Sequence, residues 1–273
     1  MTFRQSEEER ALDDAILALM RKASEEAILP HYRSLDEVDI VNKASDDVVT
    51  VADHASERIL TEGLAKLEPG VAIVGEEAAF ADEAVLDGLK GDCWIVDPLD
   101  GTNNFACGEP PFGILLARAA GGFARSGWIY DCLSRRFCSV HEGRGAFMNG
   151  ERIVARESDR TPPVAAISLV FLRDEQRAAV RNRVAPYYEL VDIPRCAAEQ
   201  YPRLALGIND VSIFQRTLAW DHAAGTLWLN EAGGKVARPD GSPYRVDDGR
   251  TGMLGASSPR LWDELARRCE GVI

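Results

Sequence analysis

Residues 93–105 read CWIVDPLDGTNNF, a short β-branched run that ends in two aspartates and passes at once into Gly-Thr-Asn-Asn. Four apolar residues bounded by turn formers describe a buried strand. Pro98 keeps Asp97 extended, and the turn that follows lets Asp100 swing its carboxylate back toward Asp97, with the peptide carbonyl of Leu99 between them. Gly101 and Thr102 then open a helix, whose first N–H groups have no partner within it. Pro98, Asp100 and Gly101 are also ordinary turn formers. The choice between a plain turn and a site therefore depends on whether other carboxylates are delivered to the same place.

They are. VAIVG, residues 71–75, is a second short β-branched run, and Glu76 and Glu77 follow it immediately. Before it, the periodicity predicts a helix from Glu7 to Leu29, with Ser6 and Glu9 as a capping box and Pro30 at its far end. An extended segment then leads into a helix that stops at Pro69-Gly70, with Asp53 at its start. From Phe112 to Val140 the pattern is an antiparallel meander turning at Gly121-Gly122, and HEGRGAFMNG closes it as a glycine-rich loop. Beyond Thr161-Pro162-Pro163 the elements alternate: strand VAAISLV, a helix after Arg173, strand YYELVDI, helix CAAEQYPRLALG, strand VSIF, and helix WDHAAGTLWLNEAGG with Asp221 in its first turn. Antiparallel pairs beside alternating elements indicate α+β or a layered α/β arrangement. No G-x-G-x-x-G follows a strand and no P-loop is present. The division expected is residues 1–155, carrying most of the carboxylates, and 156–273, supplying Asp221 and the substrate-selecting residues.

A formal charge of −13 argues against a nucleic acid polymer, which is bound by neutralising phosphates with Lys and Arg. It does not argue against a small phosphate ester if metal ions sit between carboxylate and phosphate. The N-terminus MTFRQSEEER has no apolar signal core, and no run approaches the roughly 20 apolar residues of a membrane span, so a cytoplasmic protein is expected. Six cysteines without a C-x-x-C pair read as reduced thiols, not a zinc site or a disulfide framework.

Two carboxylates and a carbonyl are hard oxygen donors of the kind Mg2+ takes. The stretch Asp97–Phe105 matches D-P-[LI]-D-G-T-x-N-F, and VVTVAD, VGEE and WDHAAGTLWLNEAGG match in the expected order. Over residues 40–235 the chain thereby resembles the inositol monophosphatase family of magnesium-dependent, lithium-sensitive phosphatases. The resemblance implies an α-β-α-β-α layered sandwich, a homodimer, and hydrolysis of a phosphate monoester by direct attack of water. It implies two to three Mg2+ ions: one on Glu76, Asp97 and the Leu99 carbonyl, one on Asp97, Asp100 and Asp221, and a third near Glu76. It further implies that Asp53 and Thr102 orient and deprotonate the water and that the Gly101 and Thr102 N–H groups hold phosphate. Glu77 is expected to be a solvated or neighbouring group, and His54 and His222 are given no catalytic part.

The substrate the family suggests first is inositol monophosphate, with histidinol phosphate, fructose bisphosphate and 3'-phosphoadenosine nucleotides as alternatives. Inositol-selective members carry a glutamate six residues before the Trp-Asp pair, where this chain has Phe214. Arg195, Arg203 and Arg216 are candidates for a second phosphate. A regulatory or binding protein that keeps the fold is the reading from another class.

Overall fold

The computed structural model describes residues 6–35, 40–44 and 47–273. The N-terminal MTFRQ and Asp46, which opens the DDVVT stretch, lie outside the described residues. Helix α1 (Glu7–Ala23) starts with the reciprocal box read from the sequence: Glu9 N–H donates to Ser6 Oγ at 3.0 Å, and Ser6 N–H to the Glu9 carboxylate at 2.6 Å. It ends earlier as an α-helix than expected, passing through a wider π turn (Ser24–Ile28) into a 3-10 turn (Leu29–His31). Pro30 explains this, because its ring and missing N–H disturb the turn that precedes it. Strands β1 (Ile40–Ala44) and β2 (Asp47–Thr50) form a hairpin leading into α2 (Val51–Leu67).

Then come β3 (Ala72–Gly75), α3 (Glu76–Ala81), β4 (Cys93–Asp100), α4 (Thr102–Ala106), β5 (Gly113–Ala120), β6 (Phe123–Asp131) and β7 (Phe137–His141). The glycine-rich loop is more regular than its composition suggests, since it contains β8 (Ala146–Met148), which turns back into β9 (Glu151–Ile153). These seven strands lie in sequence order in one sheet, parallel only between β3 and β4. The second sheet takes β10 (Val164–Ile167), β11 (Glu189–Val191), β12 (Val211–Phe214), β13 (Lys235–Ala237) and β14 (Met253–Ala256) in the order β11-β10-β12-β14-β13. Its helices are α5 (Asp174–Ala179), α6 (Ala197–Ala205), α7 (Ala219–Glu231) and α8 (Pro259–Cys269).

Alternation along β4, β5 and β6 explains the layering. Trp94, Val96, Leu116 and Trp128 face α1 and α2, packing with Ile16, Met20, Leu60 and Leu64. Ile95, Leu115 and Ile129 face the other way, onto Tyr201 and Leu204 of α6 and Ala224 and Trp228 of α7. The second sheet closes over those helices through Val236 and Met253, and its outer face is covered by Leu261, Trp262 and Leu265 of α8 with Val180 and Val184 beyond α5. The result is the expected α-β-α-β-α sandwich. Among the described residues no helix is long and apolar enough to cross a membrane.

Helix α1 is pinned to the sheet by a buried carboxylate. Trp128 Nε1–H donates to Asp13 Oδ1 at 2.6 Å, and His141 Nε2 lies 3.1 Å from the same oxygen with its Nδ1 2.8 Å from Ser126 Oγ. Burial alone would raise the Asp13 pKa, but the hydrogen bonds from His141, Trp128 and Ser139 outweigh it and hold the carboxyl below its usual range. A depressed carboxylate stabilises the fold above its ordinary pKa, and the contribution is lost as pH falls through the folded value. Asp13→Asn should therefore lower stability at pH 7 by about 1–2 kcal/mol. The gap from the parent should close in thermal melts taken below pH 4.

Candidate active site

Asp97 and Asp100 are three residues apart, and in a regular strand an odd separation sends side chains to opposite faces. Here β4 continues past Val96 to Asp100, but with a bulge: Asp97 lies opposite Leu115 and Asp100 opposite Gly113, so three steps on β4 match two on β5. The extra residue restores the phase, and both carboxylates leave the sheet on the face that carries α6 and α7. Pro98 is tolerated inside the strand because β3, whose last pairing is Gly75 with Val96, has already departed into α3. The parting of these two parallel strands opens a crevice at their carboxyl ends. Glu76 enters it from α3 and Asp221 from the first turn of α7.

Asp100 is held by the other half of the chain. Ala198 N–H donates to its Oδ2 at 2.6 Å and Cys196 Sγ lies 3.0 Å from the same oxygen. The N–H groups of Ala197 and Gly101 also favour its charged form. In this structure, then, the Gly101 N–H read as a phosphate donor is turned toward Asp100. Asn104 fastens the approaching loop a second time, its Nδ2 donating to the carbonyls of Pro111 and Pro194, each at 2.9 Å. Two glycines make the approach possible. Gly101 has φ of 84°, and a Cβ there would stand 2.8 Å from the Pro111 carbonyl oxygen; a Cβ on Gly113 would stand 2.9 Å from that of Ala198.

Asp53 lies behind this surface, only 1% exposed. It is the N3 residue of α2 and closes a capping box, accepting from Thr50 N–H at 2.8 Å and from the Thr50 hydroxyl at 2.6 Å on Oδ2. Its Oδ1 is 3.1 Å from Thr102 Oγ1, and that hydroxyl is also 2.7 Å from the Leu99 carbonyl. Thr102 thus stands between Asp53 and the crevice. Burial pushes Asp53 up to about 7, against the pull of hydrogen bonds from Thr50 and with a further rise from Glu77. Ser56 of α2 donates to the Pro98 carbonyl at 2.8 Å, tying the helix to the bulge.

The Glu57 carboxylate accepts the N–H groups of Glu77 and Ala78 at 2.8 and 2.9 Å and so caps the helix that begins with Glu76. Glu77 is buried, so of the two places expected for it, in solvent or as a neighbour of the site, it takes the second, close enough to Asp53 to disfavour that carboxylate's charge. The residues form a cleft of about 180 Å³ whose wall includes Glu76, Asp97, Leu99, Asp100, Thr102 and Asp221. Asp97 is pushed well above the usual carboxylate range, first by burial and then by Glu76, Asp100, Asp221 and Asp53. Each of these influences opposes ionisation, which is the electrostatic condition that a hard divalent cation relieves, and the donor set of carboxylates plus a carbonyl suits Mg2+. Among the described residues, no three His, Cys, Asp or Glu side chains form a finished metal cage. The site is a ring of converging charge, not a closed coordination shell.

The sequence model of the inositol monophosphatase family matches residues 8–271. The chain belongs to the inositol monophosphatase family. An inositol-1-monophosphatase of Bacillus subtilis is 30% identical over 217 residues, covering 78% of this chain and 80% of that one. The Nus factor SuhB of Escherichia coli K12 is 31% identical over 242 residues, 86% of each. Among solved structures, an IMPase of Thermotoga maritima superposes with a TM-score of 0.79 at 27% identity, over 95% of this chain and 96% of that one.

In this member of the family the wall of the cleft also carries Phe214, which stands where inositol-selective members have a glutamate, and Arg195 and Arg216, two of the three candidates for a second phosphate. Phe214 is seated in an aromatic stack, 5.5 Å from Tyr201 at an interplanar angle of 17° and edge-on to His222 at 5.0 Å. Arg195 has φ of 52°, an uncommon backbone for a non-glycine residue. Arg203 is outside the cleft wall, paired with Glu199 at 2.7 Å. His54 is exposed, and His222 is structural: its Nε2 donates to the Arg216 carbonyl at 3.0 Å and its Nδ1 accepts from Tyr201 at 2.8 Å. Burial drives its pKa down to about 4, so it is neutral at neutral pH. Sequence reasoning missed Glu57, Asn104 and Cys196. Asn104 stood within the matched pattern; nothing local distinguished the other two.

Proposed function

We propose that the cleft hydrolyses phosphate monoesters of small alcohols, with two to three Mg2+ ions held by Glu76, Asp97, the Leu99 carbonyl, Asp100 and Asp221. Such ions, when bound, neutralise the ester's charge and acidify water. The observation that carries this reading is the buried Asp97 ringed by Glu76, Asp100, Asp221 and Asp53. Membership of a phosphatase family supports it.

The chain's own residues supply the proton path. Asp53 is sealed from solvent, so it acts on the attacking water through Thr102: the hydroxyl accepts the water's proton and passes its own to Asp53 Oδ1, 3.1 Å away. A carboxyl near 7 is matched to that task at neutral pH. Thr50, bonded to Oδ2, fixes the carboxylate so that Oδ1 faces Thr102. The Thr102 N–H is assigned to phosphate, the Gly101 N–H being turned to Asp100 instead, and Arg195, Phe214 and Arg216 are assigned to the alcohol half.

We also propose that the chain works as a cytoplasmic homodimer, residues 1–155 contributing most of the cation donors and 156–273 contributing Asp221 and the alcohol wall. A regulatory role is the second reading, favoured by the likeness to a protein named a Nus factor. Phosphate release from a panel of inositol, sugar, histidinol and nucleoside phosphates tests the enzyme. Activity should vanish in EDTA and return with excess Mg2+, and undiminished turnover in EDTA would refute the assignment.

A further inference from the structure

Resting on the reading of Asp221 as an Mg2+ donor, we propose that Arg238 is a positioning residue for it, holding from behind the segment that sets where helix α7 begins. Asp221 is the third residue of α7, and the N-cap residue Leu218 gives that helix no side-chain cap. Its start is therefore placed by residues 215–218, which join it to β12. A later part of the chain grips them. Phe214 at the end of β12 lies opposite Met253 at the start of β14, and Ala237 at the end of β13 lies opposite Leu254, so all three strands present these ends at one edge of the sheet. Arg238, the residue after β13, reaches across that edge. Its Nη1 donates to Thr217 Oγ1 at 2.9 Å and to the Gly252 carbonyl at 3.1 Å, and its Nη2 to Asp248 Oδ1 at 2.8 Å. The Gly252 N–H donates to the Gln215 carbonyl at 3.0 Å, and the Thr217 hydroxyl to the Arg250 carbonyl at 2.7 Å. Tyr244, its ring 4.9 Å from the guanidinium, turns its hydroxyl to the carbonyls of Thr217 and Leu218 at 3.2 and 3.3 Å.

A guanidinium is a costly way to fill this space. Arg238 is fully buried, it is paired with Asp248, and its Nε has no hydrogen-bond partner. Apolar side chains of similar volume often match or better a buried ion pair in stability, so packing alone does not account for an arginine here. What an apolar side chain lacks is the planar fork of donors that ties residues 217, 248 and 252 into one geometry. The charge itself works against a cation nearby, because a positive group behind a carboxylate weakens that carboxylate's attraction for Mg2+. Tyr244 lies in the fields of both Arg238 and Asp221. Charge and position thus predict opposite signs: removing the guanidinium should tighten Mg2+ if only its charge matters, and weaken it if Asp221 loses its place.

The test is calorimetric titration of the full chain with Mg2+ alone, in the parent, Arg238→Met, Thr217→Val and Asp221→Asn. Arg238→Met keeps an apolar stem and removes the fork. Thr217→Val removes only the hydroxyl that receives the fork, leaves every charge in place, and decides the matter alone if Arg238→Met does not fold. Each should weaken Mg2+ affinity by about tenfold, the lower end of what groups behind a metal ligand contribute. Thr217→Val placed on Asp221→Asn should weaken it no further, because the effect runs through Asp221. Unchanged or tighter Mg2+ binding in either folded variant, with a lowered Tm, makes the grip merely structural and overturns the proposal, as does a loss that adds in full to that of Asp221→Asn. Both results leave the phosphatase reading standing, since Asp221→Asn still loses Mg2+. If Asp221→Asn binds Mg2+ as the parent does, Asp221 is no ligand and the proposal falls with that assignment.

Discussion

Asp97→Asn should be nearly inactive and yet more heat-stable than the parent in EDTA. Asp97 is the carboxylate that both proposed Mg2+ positions share, so its loss should lower kcat/KM by about a thousandfold or more, the scale at which removing charge stabilisation at a reacting centre is felt. The stability effect has the opposite sign. In the metal-free fold Asp97 is buried among Glu76, Asp100, Asp221 and Asp53, all of which disfavour its charge. The amide is isosteric and uncharged, and its oxygen can still accept the Leu99 N–H that Asp97 Oδ1 accepts at 3.1 Å. Phosphate release and melting in EDTA, measured on the same preparation, decide the matter. An active Asp97→Asn with a lowered Tm would make Asp97 a turn-forming residue only.

Asp53→Asn should separate proton transfer from cation binding. Its partners are Thr50 and Thr102, and neither is a proposed ligand, so Mg2+ affinity should largely persist while kcat falls by about 100- to 10,000-fold. Thr102→Ala should fall in the same direction, and the double variant little further than the worse single one, because both residues serve one water. Calorimetric Mg2+ titration beside steady-state rates checks this: if Asp53→Asn loses Mg2+ as severely as Asp97→Asn, Asp53 is a ligand and the two roles collapse into one.

Much of this was legible because the informative residues are local. The capping box at Ser6, the Gly121-Gly122 turn and the acidic ends of β3 and β4 are each written within a few residues. What escaped reading depends on partners far away in the chain. Cys196 and Ala198 clamp Asp100 from across 96 and 98 residues, and no local pattern marks a Cys-Ala-Ala segment as a carboxylate holder. Glu57 looked like one more charge on an amphipathic helix until α3 arrived to be capped by it. Proline hid the length of β4, since the rule that excludes it from a central strand lapses where the neighbouring strand has already ended. Phe214 was recognised as the place where a family glutamate is absent, but its stack on Tyr201 and His222 was not. That stack makes Phe214→Glu a poor way to restore a polyol contact, because the new carboxylate would be driven in among buried rings.

The bulge at Pro98-Leu99 has a consequence for how this protein can change. Side-chain exchange at residues 97 to 100 can delete a carboxylate or neutralise it, but it cannot redirect one, because the face each residue serves is set by counting along the backbone. Inserting one further residue between the two aspartates, with the one-residue bulge kept, would leave three effective steps between them and send Asp100 toward α1 and α2, away from Ala198, with every amino-acid type in the pattern still present. The cleft is in this sense encoded in spacing as much as in chemistry, and a lineage could lose it by one inserted codon more completely than by most substitutions.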